Sequence, residues 1–361
     1  MSIESRVAEL IRDDIRALSS YHVPSSNGLI KLDAMENPYV WSEELRKLWL
    51  EQLNQYSVNR YPDASAKAVK DKLRRVMHIS KEHDILLGNG SDEIIQLLAL
   101  AVAKSGSTIL APEPCFVMYR MIATYTGMHY VGVPLSAQLD IDIDATLAAI
   151  KKHNPALIFI AQPNNPTGNL FTIGKIQQII EASSGLVVLD EAYTAFTDTD
   201  FLPWIKRYEN VVVMRTLSKV GLAGLRLGLL VGAPSWLNEI EKIRLPYNIN
   251  TLTQLSVDFS LTHYDVLMQQ TKVIRQDRQS LYAYLKTIPS ITVWSSEANF
   301  LLVKIPDGQA KTIHARLRNE FNILVKCLDG SHPLLQDCLR LTVGTTAENE
   351  ALKKALSYIL N

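Results

Sequence analysis

The sequence predicts an α/β protein with a large domain built on a mostly parallel sheet and a smaller α/β domain at the C-terminus. Apolar runs of four or five residues alternate with helical stretches from Ile85 to Val231, which is typical of parallel strands joined by crossover helices. A chain of 361 residues is long for one core. We expect an N-terminal arm over residues 1–39, a large domain over 40–262, and a small domain over 263–361 that packs with the arm.

Composition and charge argue against several classes of protein. The chain has 37 basic and 37 acidic residues, so neither a nucleic-acid footprint nor a polybasic membrane patch is indicated. No run approaches the roughly 20 apolar residues that span a bilayer. Three cysteines without CxxC spacing disfavour a disulfide framework and a zinc site, and we predict no metal. We therefore expect a cytoplasmic protein.

The first 39 residues predict a helix followed by an ordered arm. Met1–Leu18 carries acids and bases throughout, unlike a signal peptide, and indicates an exposed or partner-packed helix. Ser19–Tyr39 is rich in turn residues, and within it Tyr21 and Asn37 are candidate functional groups or ordinary loop residues. Further on, Tyr61 in an extended turn could pack against a neighbour or offer its hydroxyl to an anion.

A candidate phosphate site follows the first strand of the large domain. Ile85–Asn89 is apolar, and the sequence GNGSDE at 88–93 leads into an apolar helix that we place at Ile94–Ala103. The free N–H groups of a first helical turn and the helix dipole attract anions, so Ser91 and Asp92 are candidate ligands. A Ser/Asp helix cap without any ligand is the alternative interpretation.

Three further side chains stand after the predicted strands. Phe116 comes after the strand Thr108–Ala111 and a rigid turn, and it could stack on a flat ring or belong to the core. Asn165 follows Ala156–Ala161 inside a turn fixed by prolines and a glycine. Asp190 follows four apolar residues and should be buried on at least one side, so it needs a cationic partner.

The segment Val211–Gly228 holds the candidate for covalent chemistry. A buried β-branched strand runs into Thr216, Ser218 and Lys219, and a turn of small residues then ends at Arg226. A buried lysine with a lowered pKa attacks aldehydes, and a Schiff base to pyridoxal phosphate is the best-known use of that reactivity. A surface lysine after a core strand is the alternative. A chemical role is favoured because four candidate groups fall at strand ends of one sheet: Gly90–Asp92, Asn165, Asp190 with Tyr193, and Lys219. Ligands of α/β proteins bind at such strand ends.

With these residues in place, the chain resembles the fold-type I pyridoxal phosphate-dependent aminotransferases, class II, and within them the histidinol-phosphate aminotransferases. The resemblance spans nearly the whole sequence. It rests on the motifs NRYPD at 59–63, GNGSDEII at 88–95, QPNNPTGN at 162–169, DEAYTAF at 190–196, RTLSKVGLAGLRLG at 215–228 and CLRLTVGT at 338–345.

The resemblance implies a role for each candidate. Lys219 would hold pyridoxal 5′-phosphate covalently and shuttle the substrate proton, Asp190 would pair with the ring nitrogen, and Asn165 and Tyr193 would contact the ring hydroxyl. Phe116 would stack on the ring. The phosphate ligands would be Ser91, Asp92, Thr216, Ser218 and Arg226, with Tyr61 arriving from the second subunit of a homodimer.

The C-terminal part supplies candidate substrate ligands. Helix-like Asp265–Leu285, a strand pair, the helix Ala310–Phe321 and the strand Ile323–Lys326 predict a βαβ-type small domain. Arg340, in a strand-like run, is a candidate anchor for an anionic group because guanidinium binds carboxylate or phosphate with two parallel bonds. Lys326 stands where many relatives carry arginine. With Tyr21, Asn37 and Asn165, these residues complete the predicted substrate site.

The activity implied is reversible amino transfer between L-histidinol phosphate and 2-oxoglutarate in histidine biosynthesis. An aromatic amino-acid aminotransferase and a phosphoamino-acid decarboxylase of the same fold would share the coenzyme residues and stay open as alternatives. A coenzyme-sensing regulator would need a DNA-binding module, which the sequence does not indicate.

Overall fold

The computed structural model describes residues 2–20 and 23–360, which form two sheets with helices packed around them. The strands are β1 Ile30–Leu32, β2 Asp84–Asn89, β3 Thr108–Glu113, β4 His129–Pro134, β5 Leu157–Ala161, β6 Leu186–Asp190, β7 Val211–Thr216, β8 Leu227–Gly232, β9 Thr292–Val293, β10 Phe300–Lys304, β11 Ile323–Cys327 and β12 Cys338–Thr342. The helices are α1 Ile3–Leu10, α2 Asp13–Arg16, α3 Glu43–Leu53, α4 Lys67–Val76, α5 Ser91–Val102, α6 Met118–Thr126, α7 Ile143–His153, α8 Ile173–Ala182, α9 Trp204–Arg207, α10 Pro234–Glu241, α11 Thr251–Thr262, α12 Tyr264–Leu285, α13 Ala310–Phe321 and α14 Thr346–Leu360.

The larger sheet confirms the predicted mostly parallel architecture. Its order is β2-β8-β7-β6-β5-β3-β4, and β8 runs antiparallel to both of its neighbours while the other pairs are parallel. Both faces are covered: Val187 and Leu189 of β6 belong to one core cluster, and Leu186 and Val188 belong to the other. Burial on both faces explains why these strands are continuous apolar runs rather than alternating ones.

The smaller sheet joins the arm to the C-terminal part of the chain. Its order is β1-β11-β12-β10-β9, and β1 pairs in parallel with β11. The predicted βαβ unit is β10-α13-β11, but β12 lies between its two strands and is antiparallel to both. Just after β1, the carbonyl oxygen of Ala34 accepts from the Lys219 Nζ at 3.2 Å, so the arm reaches the segment that follows β7 of the larger sheet.

The N-terminal segment differs from the single helix expected over Met1–Leu18, of which Met1 lies outside the described residues. Two short helices, α1 and α2, are separated at Ile11, whose backbone is extended, and neither helix buries a residue. Arg12 at the break donates to the carbonyl oxygens of Thr124 and Tyr125 at 2.6 and 3.1 Å. Such short helices are marginal without a packed face, so a tether to α6 can override the helical pattern.

Among residues 2–20 and 23–360, no helix combines the length and the apolar character needed to cross a membrane.

Candidate active site

The candidate site is a cavity beyond the carboxyl ends of β5, β6 and β7. The structure brings together there every predicted coenzyme ligand except Tyr61. The cavity is lined by Met35, Ser91, Asp92, Phe116, Ala161, Asn165, Asp190, Ala192, Tyr193, Thr216, Ser218, Lys219 and Arg226. Parallel strands end at the same edge, which is why side chains separated by more than a hundred residues in sequence meet here.

Lys219 lies in a tight turn that begins directly after β7. Ser218–Leu222 forms a short helical turn that is kinked at Gly221, whose φ of +117° favours glycine. The Lys219 Nζ donates to the carbonyl oxygen of Ala34 at 3.2 Å and lies 5.9 Å from the centre of the Tyr193 ring. Burial, aided by the cationic Arg340, lowers the Lys219 pKa to about 8. A neutral, nucleophilic amine is therefore accessible near neutral pH.

Asp190 ends β6, lines the same cavity as Lys219 and is 5% exposed. Its Oδ1 accepts from the Ala192 N–H at 3.0 Å, and its Oδ2 accepts from the Tyr119 hydroxyl at 2.6 Å. Burial raises the Asp190 pKa to about 6. A buried carboxylate with few protein cations around it is a suitable partner for a cationic ring nitrogen.

Sequence reasoning missed Tyr119. The residue follows Phe116 by three positions in the first turn of α6, and nothing in that spacing links it to a carboxylate 71 residues further on. The only sequence signal is an aromatic residue at helical spacing from a predicted ring-stacking residue, a pattern that core packing explains equally well.

The N-terminus of α5 forms an anion cradle with Arg226. The helix begins at Ser91, three residues before the predicted start, and Gly90 caps it with φ +83°. Because Asn89 and Gly90 turn the chain sharply, the helix can start before the apolar pattern does. A Cβ atom at Gly90 would overlap with the guanidinium of Arg226, whose Nη2 lies 3.3 Å from Asp92 Oδ2. A larger residue at position 90 would therefore move this guanidinium away from the helix end.

Two hydroxyl groups complete the cradle from the end of β7. The Thr216 Oγ1 and the Ser218 Oγ lie 2.9 Å apart, and the Ser218 N–H donates to Thr216 Oγ1 at 3.1 Å. Hydroxyl groups, first-turn N–H groups and a guanidinium are the donors that a phosphate monoester requires. The residues present therefore fit a phosphate group at this end of the cavity.

Asn165 connects the cavity to the smaller sheet. Its Oδ1 accepts from Arg340 Nη1 at 2.6 Å, and Arg340 Nη2 donates to the carbonyl oxygen of Asp33 at 2.8 Å. Arg340 is buried, and its guanidinium lies 5.5 Å from the centre of the Phe300 ring. The predicted substrate anchor thus stands beside the predicted coenzyme ligand.

A second cavity adjoins the first and shares Met35, Phe116 and Asn165 with it. Lys326 and Arg340 line this second cavity. They occupy directly opposed positions on the antiparallel strands β11 and β12, so their side chains project from the same face of the sheet. Two cationic side chains, Lys326 and Arg340, therefore line the cavity that adjoins the one containing Lys219.

Two of the described residues predicted for the site, Tyr61 and Asn37, lie outside the cavity. Tyr61 is 80% exposed and stacks on Tyr247 with ring centres 4.5 Å apart, outside the cavity of its own chain. The Asn37 amide donates to the Val220 carbonyl oxygen at 3.1 Å and to Gln270 at 2.9 Å. Asn37 therefore contacts the turn that holds Lys219 and does not line either cavity, and its contact with substrate stays a prediction. Tyr21 lies outside the described residues.

Taken together, the cavity suits a flat ring that carries three groups. A phosphate fits at the N-terminus of α5, a cationic ring nitrogen fits at Asp190, and an electrophilic carbon fits at Lys219. Phe116 is placed to cover such a ring, and the Tyr193 hydroxyl, which donates to the Met35 sulfur at 3.4 Å, projects toward it.

Comparison with known proteins agrees with this site. A family model described as aminotransferase class I and II matches residues 27–359. Histidinol-phosphate aminotransferase 2 of Nitrosococcus oceani is 51% identical over 353 residues, which cover 98% of each chain. Histidinol-phosphate aminotransferase 1 of Burkholderia lata is 48% identical, again over 98% of each chain.

Solved structures show the same fold at lower sequence identity. The crystal structure of histidinol-phosphate aminotransferase from Sinorhizobium meliloti in complex with pyridoxal-5′-phosphate has a TM-score of 0.86. Its sequence is 23% identical, and the match covers 97% of both chains.

Proposed function

This chain belongs to the class I and II aminotransferase family, and from that premise we propose that it is a histidinol-phosphate aminotransferase. It would interconvert L-histidinol phosphate and 2-oxoglutarate with imidazole acetol phosphate and L-glutamate, in histidine biosynthesis, using pyridoxal 5′-phosphate. The observation that carries the proposal is one cavity that holds Lys219, Asp190 and a phosphate cradle next to a pair of cationic side chains. Relatives that carry this name match nearly the full length of the chain.

Each residue that lines the cavity would bind a different part of the coenzyme. When bound, pyridoxal phosphate supplies an aldehyde carbon and a ring that takes up negative charge from the substrate. Lys219 would hold the aldehyde carbon, Asp190 would keep the ring nitrogen protonated, and Phe116 would cover one face of the ring. Asn165 and Tyr193 would bind the ring hydroxyl oxygen.

The phosphate group would be bound at the N-terminus of α5. The first-turn N–H groups of Ser91 and Asp92 point along the positive end of the helix dipole. Thr216 and Ser218 would donate their hydroxyl protons, and the Arg226 guanidinium would balance the negative charge. These contacts anchor the ring so that Lys219 and Asp190 face its two reactive positions.

Lys219 would also move the substrate proton. Its pKa of about 8 leaves a useful fraction of the amine neutral at neutral pH, so it can accept the proton from the substrate carbon and return it to the neighbouring carbon. The turn that holds Lys219 keeps the amine within the cavity during both transfers.

The cation pair favours a phosphorylated substrate over an aromatic amino acid. A phosphate monoester carries about −1.5 to −2 charges at neutral pH, whereas an α-carboxylate carries one. Lys326 beside Arg340 supplies two positive charges to match the phosphate. Replacing Lys326 with glutamine should lower kcat/KM for histidinol phosphate by about tenfold or more, the cost of one charge-assisted hydrogen bond. Phenylalanine transamination should change less.

Lys326→Arg is the matched control because it keeps the charge and adds a fork that suits phosphate. We expect this variant to retain the preference for histidinol phosphate. If Lys326→Gln lowered kcat/KM equally for histidinol phosphate and for phenylalanine, Lys326 would not be a ligand of the substrate phosphate.

The activity itself is tested with purified protein, pyridoxal phosphate, histidinol phosphate and 2-oxoglutarate. We expect a visible coenzyme band that histidinol phosphate perturbs, formation of glutamate, and loss of both signals in Lys219→Ala. Faster turnover of aromatic amino acids would identify an aromatic aminotransferase. Release of CO₂ from a phosphoamino acid would identify a decarboxylase.

A homodimer is part of the same proposal. Val58, Tyr61 and Leu245 are each more than 70% exposed and give the surface near Tyr61 an apolar character. We infer that a second copy covers this surface and that Tyr61 reaches the phosphate in the partner's cavity.

We also propose a cytoplasmic location. The three cysteines are free thiols, as expected for a reducing compartment.

An experiment with mixed dimers tests whether Tyr61 binds the phosphate in the partner's cavity or in the cavity of its own subunit. Tyr61→Phe should weaken coenzyme binding. Adding inactive Lys219→Ala subunits should restore activity, because the mixed dimer then contains one site with an intact lysine and an intact partner tyrosine. No recovery after subunit exchange would refute the inference.

A further inference from the structure

Tyr119 is a fully buried tyrosine whose hydroxyl contacts the side chain proposed to hold the coenzyme ring nitrogen. It donates to Asp190 Oδ2 at 2.6 Å. Tyr119 itself does not line the coenzyme cavity. Its hydroxyl therefore acts on the cavity through Asp190.

Two aromatic contacts fix the direction of this hydroxyl. The Tyr119 ring stacks on Phe159 with centres 4.5 Å apart and planes 12° from parallel. Its edge meets Phe116 at 5.7 Å and 89°. Aromatic pairs of these geometries are favourable beyond their buried area, so the phenol is held without help from solvent. The same ring therefore supports both Phe116 and Asp190.

The hydrogen bonds of Asp190 leave room for a ring nitrogen. Each carboxylate oxygen receives one donor, the Ala192 N–H on Oδ1 and the Tyr119 hydroxyl on Oδ2. A carboxylate accepts about four hydrogen bonds, so both oxygens keep acceptor capacity toward the cavity. The other charged groups that face Asp190 are Asp92 on α5, which favours its protonation, and Lys219, which favours its ionisation.

We propose that Tyr119 is a positioning residue that keeps Asp190 ionised and oriented toward the coenzyme ring nitrogen. This inference rests on the proposed coenzyme binding but not on the identity of the substrate. Burial and the neighbouring carboxylate hold the Tyr119 pKa well above its usual range, so the phenol stays a donor at every working pH. Among the neighbours of Asp190, the Tyr119 hydrogen bond is the largest influence that lowers the Asp190 pKa against the effect of burial.

Removing the hydroxyl should move a proton within the site. In Tyr119→Phe the ring packing remains, but Asp190 loses its strongest donor and binds a proton more tightly. With the coenzyme bound, Asp190 would then take up the proton of the ring nitrogen, and the ring would carry less positive charge. A less positive ring would raise the pKa of the Lys219 nitrogen when Lys219 holds the coenzyme.

The first test is a pH titration of the visible coenzyme band. We expect the midpoint of Tyr119→Phe to lie about one pH unit above that of the wild type, as loss of one hydrogen bond to a charged group predicts. The value of kcat should fall by about tenfold while KM changes little, because the ring takes up charge only during the reaction.

Tyr284→Phe is the matched control. It removes another phenol hydrogen bond, to the Lys353 carbonyl oxygen at 2.9 Å, in the smaller domain. Its midpoint should equal that of the wild type. A midpoint in Tyr119→Phe within about 0.2 pH unit of the wild type would show that Tyr119 only packs and would overturn the proposal.

A second test needs no coenzyme and separates this inference from the proposed function. In coenzyme-free protein, Tyr119→Phe should lose more stability than the wild type as the pH rises from 5 to 8, because its Asp190 must ionise without the phenol. In an Asp190→Asn background the same substitution should have no pH-dependent effect. A pH-dependent effect that persists in that background would refute the coupling, whatever the substrate proves to be.

Discussion

Replacing Asp190 with asparagine should stabilise the coenzyme-free protein at neutral pH. Asp190 is buried, and its nearest hydrogen-bond donors are neutral: the Tyr119 hydroxyl and the Ala192 N–H. Asparagine can keep both contacts, because its oxygen can accept from Ala192 while its NH₂ group donates to the Tyr119 oxygen. The substitution therefore removes a buried charge and keeps both contacts, and its cost is the Tyr119 O–H proton, which loses its carboxylate acceptor at every pH.

The sign and size of the effect follow from the pKa of Asp190. Burial raises it from 3.8 to about 6, so the folded protein holds this proton more tightly than the unfolded chain does. The wild type therefore loses stability as the pH rises from about 4 to about 6, and the loss is complete above that range. A pKa shift of this size corresponds to about 3 kcal/mol. This value is an upper bound for the pH-dependent part of the difference in unfolding free energy between the wild type and Asp190→Asn.

The assay is urea unfolding of both coenzyme-free proteins at a fixed protein concentration between pH 4 and pH 8. The stability difference between them should grow in favour of Asp190→Asn by about 1–3 kcal/mol over this range. Asp71→Asn is the control. Asp71 is exposed and paired with Lys67 at 2.6 Å, which lowers its pKa, so its replacement should give a smaller change of opposite sign.

A difference between wild type and Asp190→Asn that stays constant with pH would refute this reasoning. It would mean that Asp190 titrates at the same pH in the folded and unfolded chains. The expected result is instead a trade of stability for function, because the charge that destabilises the coenzyme-free protein is the one proposed to pair with the ring nitrogen.

Three further outcomes test other parts of the site. Gly90→Ala should weaken coenzyme binding by at least about tenfold, measured by equilibrium dialysis, because its Cβ would displace the Arg226 guanidinium from the helix end. Arg215→Met should destabilise the protein by about 3–5 kcal/mol in urea unfolding at pH 8, because Glu191, whose carboxylate accepts from Arg215 at 2.7 Å, would remain buried without its cation. The rate at which coenzyme-free protein takes up pyridoxal phosphate should rise with pH around a midpoint near 8, because Lys219 attacks only as the neutral amine.

The larger sheet could be predicted because its strands are buried on both faces. Continuous apolar runs such as Val211–Val213 have one reasonable interpretation, and crossover helices separate most of them. Helix ends were less accurate where glycine controls them: α5 starts at Ser91 rather than Ile94 because Gly90 allows the sharp turn. The N-terminal helix divided at Ile11 because Arg12 bonds to α6, a contact that the helical pattern could not indicate.

The meeting of the candidate coenzyme ligands in one cavity could be predicted because most of them follow strands of the same sheet. Asn165, Asp190 and Lys219 stand at or beyond the ends of neighbouring strands, and parallel strands bring such ends together. The position of Asn37 in the arm does not by itself indicate which groups its side chain meets. The arm passes both the cavity and the back of the Lys219 turn, and only the fold decides which of these its side chain meets.

The sequence by itself determined the sheet, the order of its strands along the chain and the chemical groups at their ends, because these depend on local apolar pattern and residue type. The tertiary structure alone decided which distant groups touch. The hydrogen bond from Tyr119 to Asp190, the opposed pair of Lys326 and Arg340, and the close approach of Arg226 to Gly90 each join separate segments. Such contacts arise from packing of side chains in three dimensions, which no pattern along one segment records.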